Sequence, residues 1–538
     1  MRVKKILIVG GGSSGWMAAS YLQKALNNQH RPYNVSITLI ESPDIPTISV
    51  GEATIPSIRH LLSVIGINEQ EFMQKTDATF KQSIKYVNWE YNDGSHYHHP
   101  FSRVRKQPLD DSAQLWLASN QKIPFIETCS EQPIICEMNR APVMMGQWDF
   151  GQPLTYAYHF NAKKFADYLR DVSVPRGVEH IYANITNVTL QENGNIQSVT
   201  TDKGKIFAAD LFIDCTGFKS LLMNKKLNVA FEDCSQWLLC DRAITMHVPY
   251  DKHFPGVVRP YTTATALSSG WVWDIPLQTK RSLGYVHSSN HIQAEDAKKE
   301  LFSYQGCEID TFETKLINFK VGHIKQHWKK NCIAIGLSGG FIEPLESTGL
   351  YLSDLGTVML AEYFPYNDEH MEQMAYRYNR IMSNRFYEIL DFINMHYCLS
   401  KRTDTKFWQE VRKPERINER LKVKLDFWKL KSPSMSDFDD QSFLNYQPKI
   451  QPNSGVDNRA NTDTAALWNH ESYECIMYGM HYNQDKYQVE SQTDIKLHPY
   501  IIDRLQEANR VLPPHDFWLK KYVGMLNYSF SYKPKGWQ

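Results

Sequence analysis

The chain has 538 residues, 42% hydrophobic and 22% charged, with Lys plus Arg equal to Asp plus Glu at 59 each. That length predicts one large composite domain or two to three domains, and the even charge argues against a nucleic-acid or membrane-surface partner. No apolar run is long enough to cross a bilayer, and nine scattered cysteines without a CxxC pair or a signal segment predict reduced thiols and a cytoplasmic location.

The N-terminus carries the clearest pattern. KILIV at 5–9 reads as a buried strand and runs straight into Gly10-Gly11-Gly12-Ser13-Ser14-Gly15. An apolar stripe at helical spacing follows (Trp16, Ala19, Leu22, Leu26), then an alternating strand over 35–40 that ends on Glu41. This is the dinucleotide-binding βαβ unit. Gly10 allows the tight turn, Gly12 lets the backbone approach a pyrophosphate, Gly15 permits close helix–strand packing, and Glu41 is placed to accept from a ribose hydroxyl.

Residues 48–56, ISVGEATIP, have neither helical nor strand period and read as a crossing segment. Ile58, Leu61, Leu62 and Ile65 share one helical face. Within 72–89, Lys75, Lys81 and Lys85 each read, from residue type alone, as solvated surface charges. The run His96-Tyr97-His98-His99-Pro100-Phe101 lacks a second ligand cluster at zinc spacing, so a flat His99/Phe101 surface or a plain loop is expected instead of a metal site.

Residues 105–150 read as polar excursions, 159–169 as an amphipathic helix, and 178–210 as a turn-rich antiparallel ribbon. LFIDCTG at 211–217 is a second buried strand with a close-approach turn. In GWVWDIP at 270–276, Trp271 and Trp273 fall on one side of an extended segment. A strand over 332–336, ending at Gly336, leads through a glycine turn to EPLESTG and an apolar helix. That order puts unpaired N–H groups at Ser347–Gly349, with Ser347 or Thr348 as the N-cap and Glu343 and Glu346 alongside. Helical spacing continues to about residue 430, 437–461 reads as a loop, and 467–482 and 501–512 read as helices.

GGGSSGWMAA, VGEATIPS, FKQSIKYVNW, GWVWDIP and GFIEPLESTGLYL, in that order, resemble the flavin-dependent halogenases, and among them the tryptophan-halogenase type. The resemblance implies an α/β, FAD-binding Rossmann-like fold of the single-component flavin monooxygenase type. It divides the chain into an FAD module over 1–365, with substrate-side excursions at about 58–160, and a mainly helical region over 366–538 covering the substrate site. FAD, used as FADH2, would contact Gly10, Gly12, Ser13, Gly15, Glu41, Ser49 in the strap between the two sites, Trp271, Trp273 and Gly336. The backbone amides of Thr348 and Gly349 match the halide positions, for chloride or bromide as co-substrate. Lys81 and Glu346 match the catalytic pair, and His99, Phe101 and Trp468 the aromatic substrate sandwich.

In this family, reduced flavin, oxygen and halide give hypohalous acid, which reaches a guarded aromatic substrate. With a single GxGxxG, a separate flavin reductase is the expected partner; a homodimer stays open. The resemblance departs where free-tryptophan enzymes carry a Tyr-Tyr pair: here Phe443-Leu444 stand instead. An indole or other electron-rich aromatic is therefore expected, with free tryptophan a poor substrate. Two other readings stay open, an FAD-dependent aromatic hydroxylase and a silent homologue that binds flavin or an aromatic signal.

Overall fold

The computed structural model describes residues 1–45, 50–103, 111–146, 153–250, 257–434, 437–438, 467–482, 494 and 496–526. Its organising layer is a six-stranded sheet. Strand Lys5–Val9 lies at its centre, parallel to Ser36–Glu41 on one side and Leu211–Asp214 on the other. Glu179–Tyr182 and Cys332–Ala334 extend the parallel order outward. Helix Ser13–Leu26 buries the expected stripe: Trp16, Ala19, Leu22 and Leu26 are almost wholly enclosed, each of the larger side chains contributing roughly 1.5–3 kcal/mol by leaving water.

The turn between strand and helix needs glycine for steric reasons. Gly10 has φ +115°, and a Cβ there would lie 2.2 Å from the Cys215 carbonyl oxygen. A Cβ on Gly15 would lie 1.9 Å from the Gly10 oxygen, which is the close helix–strand approach the spacing implies.

A second sheet of seven strands stands beside the first. Its middle is Gly270–Pro276, between Thr262–Leu267 and Lys280–His287, and its edge is built by Ser83–Val87 and His96–Pro100. The His96–Phe101 run is thus largely an edge strand, where a loop was the simpler expectation. Next to it a three-stranded sheet joins Gly51–Ala53, Ala157–Asn161 and Thr79–Lys81. The helix expected from residue 159 starts later, at Ala162–Ser173, because His159 and Phe160 are buried in strand pairs on both sides. Asn161 caps that helix by accepting from the Lys164 N–H.

In the second half, Gly349–Glu362 and the long helix Met371–Cys398 pack onto this core, and His470–Gly479 follows. Short helices Ser112–Leu117, Phe125–Cys129 and Gln132–Glu137 lie where only irregular excursions were expected, and His515–Val523 adds a helix the periodicity did not mark. One apolar core runs from Trp16 through Trp271 to Phe392 and Trp518. Among the described residues no disulfide joins the cysteines, and no helix is long and apolar enough to cross a membrane.

Candidate active site

A cavity of about 800 Å³ lies between the two large sheets. Its wall contains Gly10, Gly12, Ser13, Glu41, Trp271, Trp273, Gly336 and Gly349, so most of the residues singled out for cofactor binding converge there. Gly15 stands behind the wall, and Ser49 lies outside the described residues.

The residues at the mouth of the glycine turn suit a dinucleotide. A Cβ on Gly12 would meet nothing within 4 Å, so the position is open toward the cavity and leaves a backbone surface for a pyrophosphate. Glu41, at the end of its strand, accepts from Trp16 Nε1 at 3.2 Å, and its other oxygen lies 3.5 Å from His180 Nε2. Its carboxylate is therefore oriented but keeps acceptor capacity for a ribose hydroxyl. The two tryptophans stand with ring centroids 6.4 Å apart; Trp271 donates from Nε1 to Glu343 at 3.2 Å, and among the described residues the buried Trp273 Nε1 meets no partner. Glu52, half-buried on the same wall, has its carboxyl pushed up to about 7 by desolvation.

The second chemical centre lies past the end of this cavity. Lys81 is the last residue of strand Thr79–Lys81 and has no solvent exposure, so the surface reading of that lysine is wrong. Its Nζ donates to the Thr54 carbonyl oxygen at 2.9 Å and to Ser347 Oγ at 2.8 Å, and lies 5.2 Å from the centre of the Phe101 ring. Burial pushes its amine down to about 7, against the opposing pull of the Glu346 charge. Two acceptors match the two hydrogens of a neutral amine and leave its lone pair available.

Glu346 ends a short turn, Pro344–Glu346, and is as buried as Lys81. It does not form an ion pair with the lysine. It accepts from Tyr86 Oη at 2.5 Å, is met by His99 Nδ1 at 3.0 Å, and has His396 Nε2 at 3.1 Å. Burial alone would raise its carboxyl, but His99 and His396 offset that and hold it below the usual carboxylate range. Ser347, with φ +61°, turns the chain sharply between this carboxylate and the helix that follows. Its hydroxyl meets Lys81, while the residue also lines the larger cavity.

Thr348 is the N-cap of Gly349–Glu362, but its side chain makes no capping bond and, among the described residues, its buried Oγ1 meets no partner. A Cβ on Gly349 would meet nothing within 4 Å. The helix therefore starts with free N–H groups beside open space, a setting that favours an anion.

Two members of the aromatic group meet a further ring. His99 and Trp468 both contact Phe392, an unforeseen residue of the long helix: Trp468 stacks on it at 4.2 Å and 17°, and His99 lies 5.7 Å from it. One face of Trp468 is thus taken by the chain itself. The Phe443-Leu444 substitution lies outside the described residues. Residue spacing also gave no sign of Tyr86 or His396. His396 is one histidine in a long amphipathic helix and Tyr86 one aromatic in a strand, and only the folded chain brings both to Glu346.

The profile of a family described as tryptophan halogenase matches residues 5–493. The tryptophan 7-halogenase RebH of Lentzea aerocolonigenes is 35% identical over 498 residues, covering 89% of this chain and 90% of that protein. The tryptophan 6-halogenase SttH of Streptomyces toxytricini is 34% identical over 471 residues, covering 84% and 87%. Among solved structures, a tryptophan halogenase from Shewanella frigidimarina superposes with a TM-score of 0.86 at 32% identity, covering 97% of this chain and 98% of the other.

Proposed function

The chain belongs to the tryptophan halogenase family, and from that premise we propose that it halogenates an electron-rich aromatic of indole type through Lys81 and Glu346. It is a flavin-dependent halogenase. The observation that carries the finer reading is the buried Lys81 amine, pushed down to about 7 and bonded to Ser347 next to the cofactor cavity.

FAD would be held by the Gly10–Gly15 turn, with Glu41 on its ribose and Trp271 and Trp273 beside its ring. Reduced FAD, with dioxygen and a halide, supplies hypohalous acid. The open helix start at Thr348 and Gly349 suits chloride or bromide. With one glycine-rich nucleotide turn in the sequence, reduced FAD comes from a separate reductase.

Hypohalous acid is unselective in water, so a route lined by protein is required. Ser347 sits where the cavity wall meets the lysine. Lys81, at the end of that route, holds the electrophilic halogen against the substrate, either by donating to hypohalous acid or as a haloamine. An electron-rich ring carbon then bonds to the halogen as the halogen–oxygen or halogen–nitrogen bond breaks, the departing oxygen or nitrogen keeping that electron pair and taking a proton to leave as water or as the Lys81 amine. Glu346, held as a carboxylate by its imidazole and phenol neighbours, takes the proton from that carbon, and the C–H electron pair restores the aromatic ring.

The substrate is an indole or other electron-rich aromatic, with free L-tryptophan a poor one. This rests on the loss of the Tyr-Tyr pair at Phe443-Leu444 and on Phe392 occupying one face of Trp468. The test supplies FAD, a reductase, NADH, oxygen and either halide with indoles, phenols and free L-tryptophan. Products gaining chlorine or bromine, with indole well ahead of L-tryptophan, are expected. Products gaining oxygen would make the chain a hydroxylase, and equal turnover of indole and L-tryptophan would refute the substrate assignment.

A further inference from the structure

Glu346 is 2% exposed, and an isolated carboxylate at such a depth would take up a proton. Five groups from four elements surround it. Tyr86 comes from Ser83–Val87, His99 and Tyr97 from His96–Pro100, Lys81 from Thr79–Lys81, and His396 from Met371–Cys398.

The two histidines are not equivalent. His99 Nε2 lies 3.0 Å from the Ser472 hydroxyl, which can donate or accept. A neutral His99 can therefore give its Nδ1–H to Glu346 and take a hydrogen from Ser472. His396 has no such freedom. Its Nδ1 lies 2.8 Å from the Phe392 carbonyl oxygen, which only accepts, so this nitrogen carries a hydrogen. Its Nε2 faces Glu346 Oε1 at 3.1 Å, at ion-pair distance but off the line of a good hydrogen bond. A bare lone pair there would face a carboxylate oxygen and repel it. A proton on one of the two, the imidazole or the carboxyl, removes that repulsion. The ring is wholly buried against Tyr86, Trp89 and Phe392.

We propose that His396 is a positioning residue that pairs with Glu346 as an imidazolium, keeps it ionised, and so relieves Lys81 of acting as its counter-ion. This rests on the reading of Glu346 as the proton acceptor. It explains why the lysine bonds to Thr54 and Ser347 although a buried carboxylate lies close by. A Lys81–Glu346 ion pair would lock the amine as ammonium; with His396 taking the charge, its lone pair is free to meet the halogen.

The direct test is ¹⁵N NMR of the full-length protein labelled at histidine, with the His396 signal assigned by its loss in His396→Gln or His396→Asn. At pH 7.5 both His396 nitrogens are expected in the imidazolium range, and Glu346→Gln is expected to convert it to the neutral Nδ1–H form. A neutral Nδ1–H form in the unmodified protein would overturn the proposal. Kinetics add a second reading. His396→Gln is expected to move the acid limb of the kcat profile up by about one pH unit, roughly a tenfold loss on that limb, with KM within about twofold. A loss equal at all pH values would contradict this. The NMR result does not depend on turnover: an imidazolium in a protein that makes no halogenated product would remove the catalytic reading and leave the charge pairing intact.

Discussion

Lys81 Nζ donates to the Ser347 hydroxyl at 2.8 Å, and Ser347 also lines the cavity that suits FAD. A single side chain thus links the place where the electrophile would form to the place where it would be used. Removing the hydroxyl in Ser347→Ala leaves one amine hydrogen without its acceptor. A buried donor left without its acceptor costs roughly 1–3 kcal/mol, so kcat should fall about fivefold to a hundredfold with KM nearly unchanged. Flavin oxidation measured in parallel should keep its rate.

The lysine sets a pH dependence with a definite sign. Its amine is pushed down to about 7 from an ordinary value of 10.5. If the neutral amine is the working form, the single-turnover rate rises about tenfold per pH unit below 7 and levels off above it. A rate that is flat below 7 and falls above it would identify the ammonium as the working form. Stopped-flow product quench between pH 5.5 and 9 separates the two.

Two positions in the glycine turn, Gly10 and Gly12, separate folding from cofactor binding. Gly12→Ala adds a methyl where nothing lies within 4 Å, so thermal stability should hold while FAD affinity falls at least about tenfold, or ~1.4 kcal/mol. Gly10→Ala drives a methyl into the Cys215 carbonyl at a φ of +115° and should cost about 1–3 kcal/mol of stability before any cofactor is added. Calorimetry and FAD titration on both variants check this.

Glu343 donates nothing to the proposed chemistry but loads the fold. Burial raises its carboxyl from 4.5 to about 7, against the lowering effect of its bonds with Tyr397 and Trp271. The folded state thus holds this proton more tightly than the unfolded one. Its contribution is fully present below about pH 4.5 and is lost as pH rises toward 7, by an amount on the order of 3 kcal/mol. Glu343→Gln removes that dependence. Denaturant melts at pH 5 and 8 should show the variant gaining on the unmodified protein at the higher pH.

The glycine-turn half of the site was legible because its parts are local. A strand, a glycine turn, a helix and a terminal acid fit into residues 5–41, and their spacing alone brings them together. The other half was not. Lys81, Tyr86, His99, Glu346 and His396 come from five separate segments, and no local period distinguishes Lys81 from a surface lysine or His396 from any other residue of an amphipathic helix. Resemblance located Lys81 and Glu346 but paired them directly; in the fold Ser347 joins the lysine and the histidines join the glutamate. The seven-stranded sheet was hidden for the same reason, since its strands are drawn from residues 83 to 318 and their pairing is long-range. His159 and Phe160 followed a helical stripe in sequence, and strand neighbours on both sides overrode it.

The central claim is that Lys81 carries the electrophile while flavin chemistry proceeds without it. Lys81→Ala, loaded with reduced FAD and mixed with oxygen, bromide and indole, tests this in one single-turnover experiment. The account predicts flavin reoxidation at a rate near that of the unmodified protein and at least a hundredfold less bromoindole. Bromoindole formed at the same rate and to the same extent would contradict it.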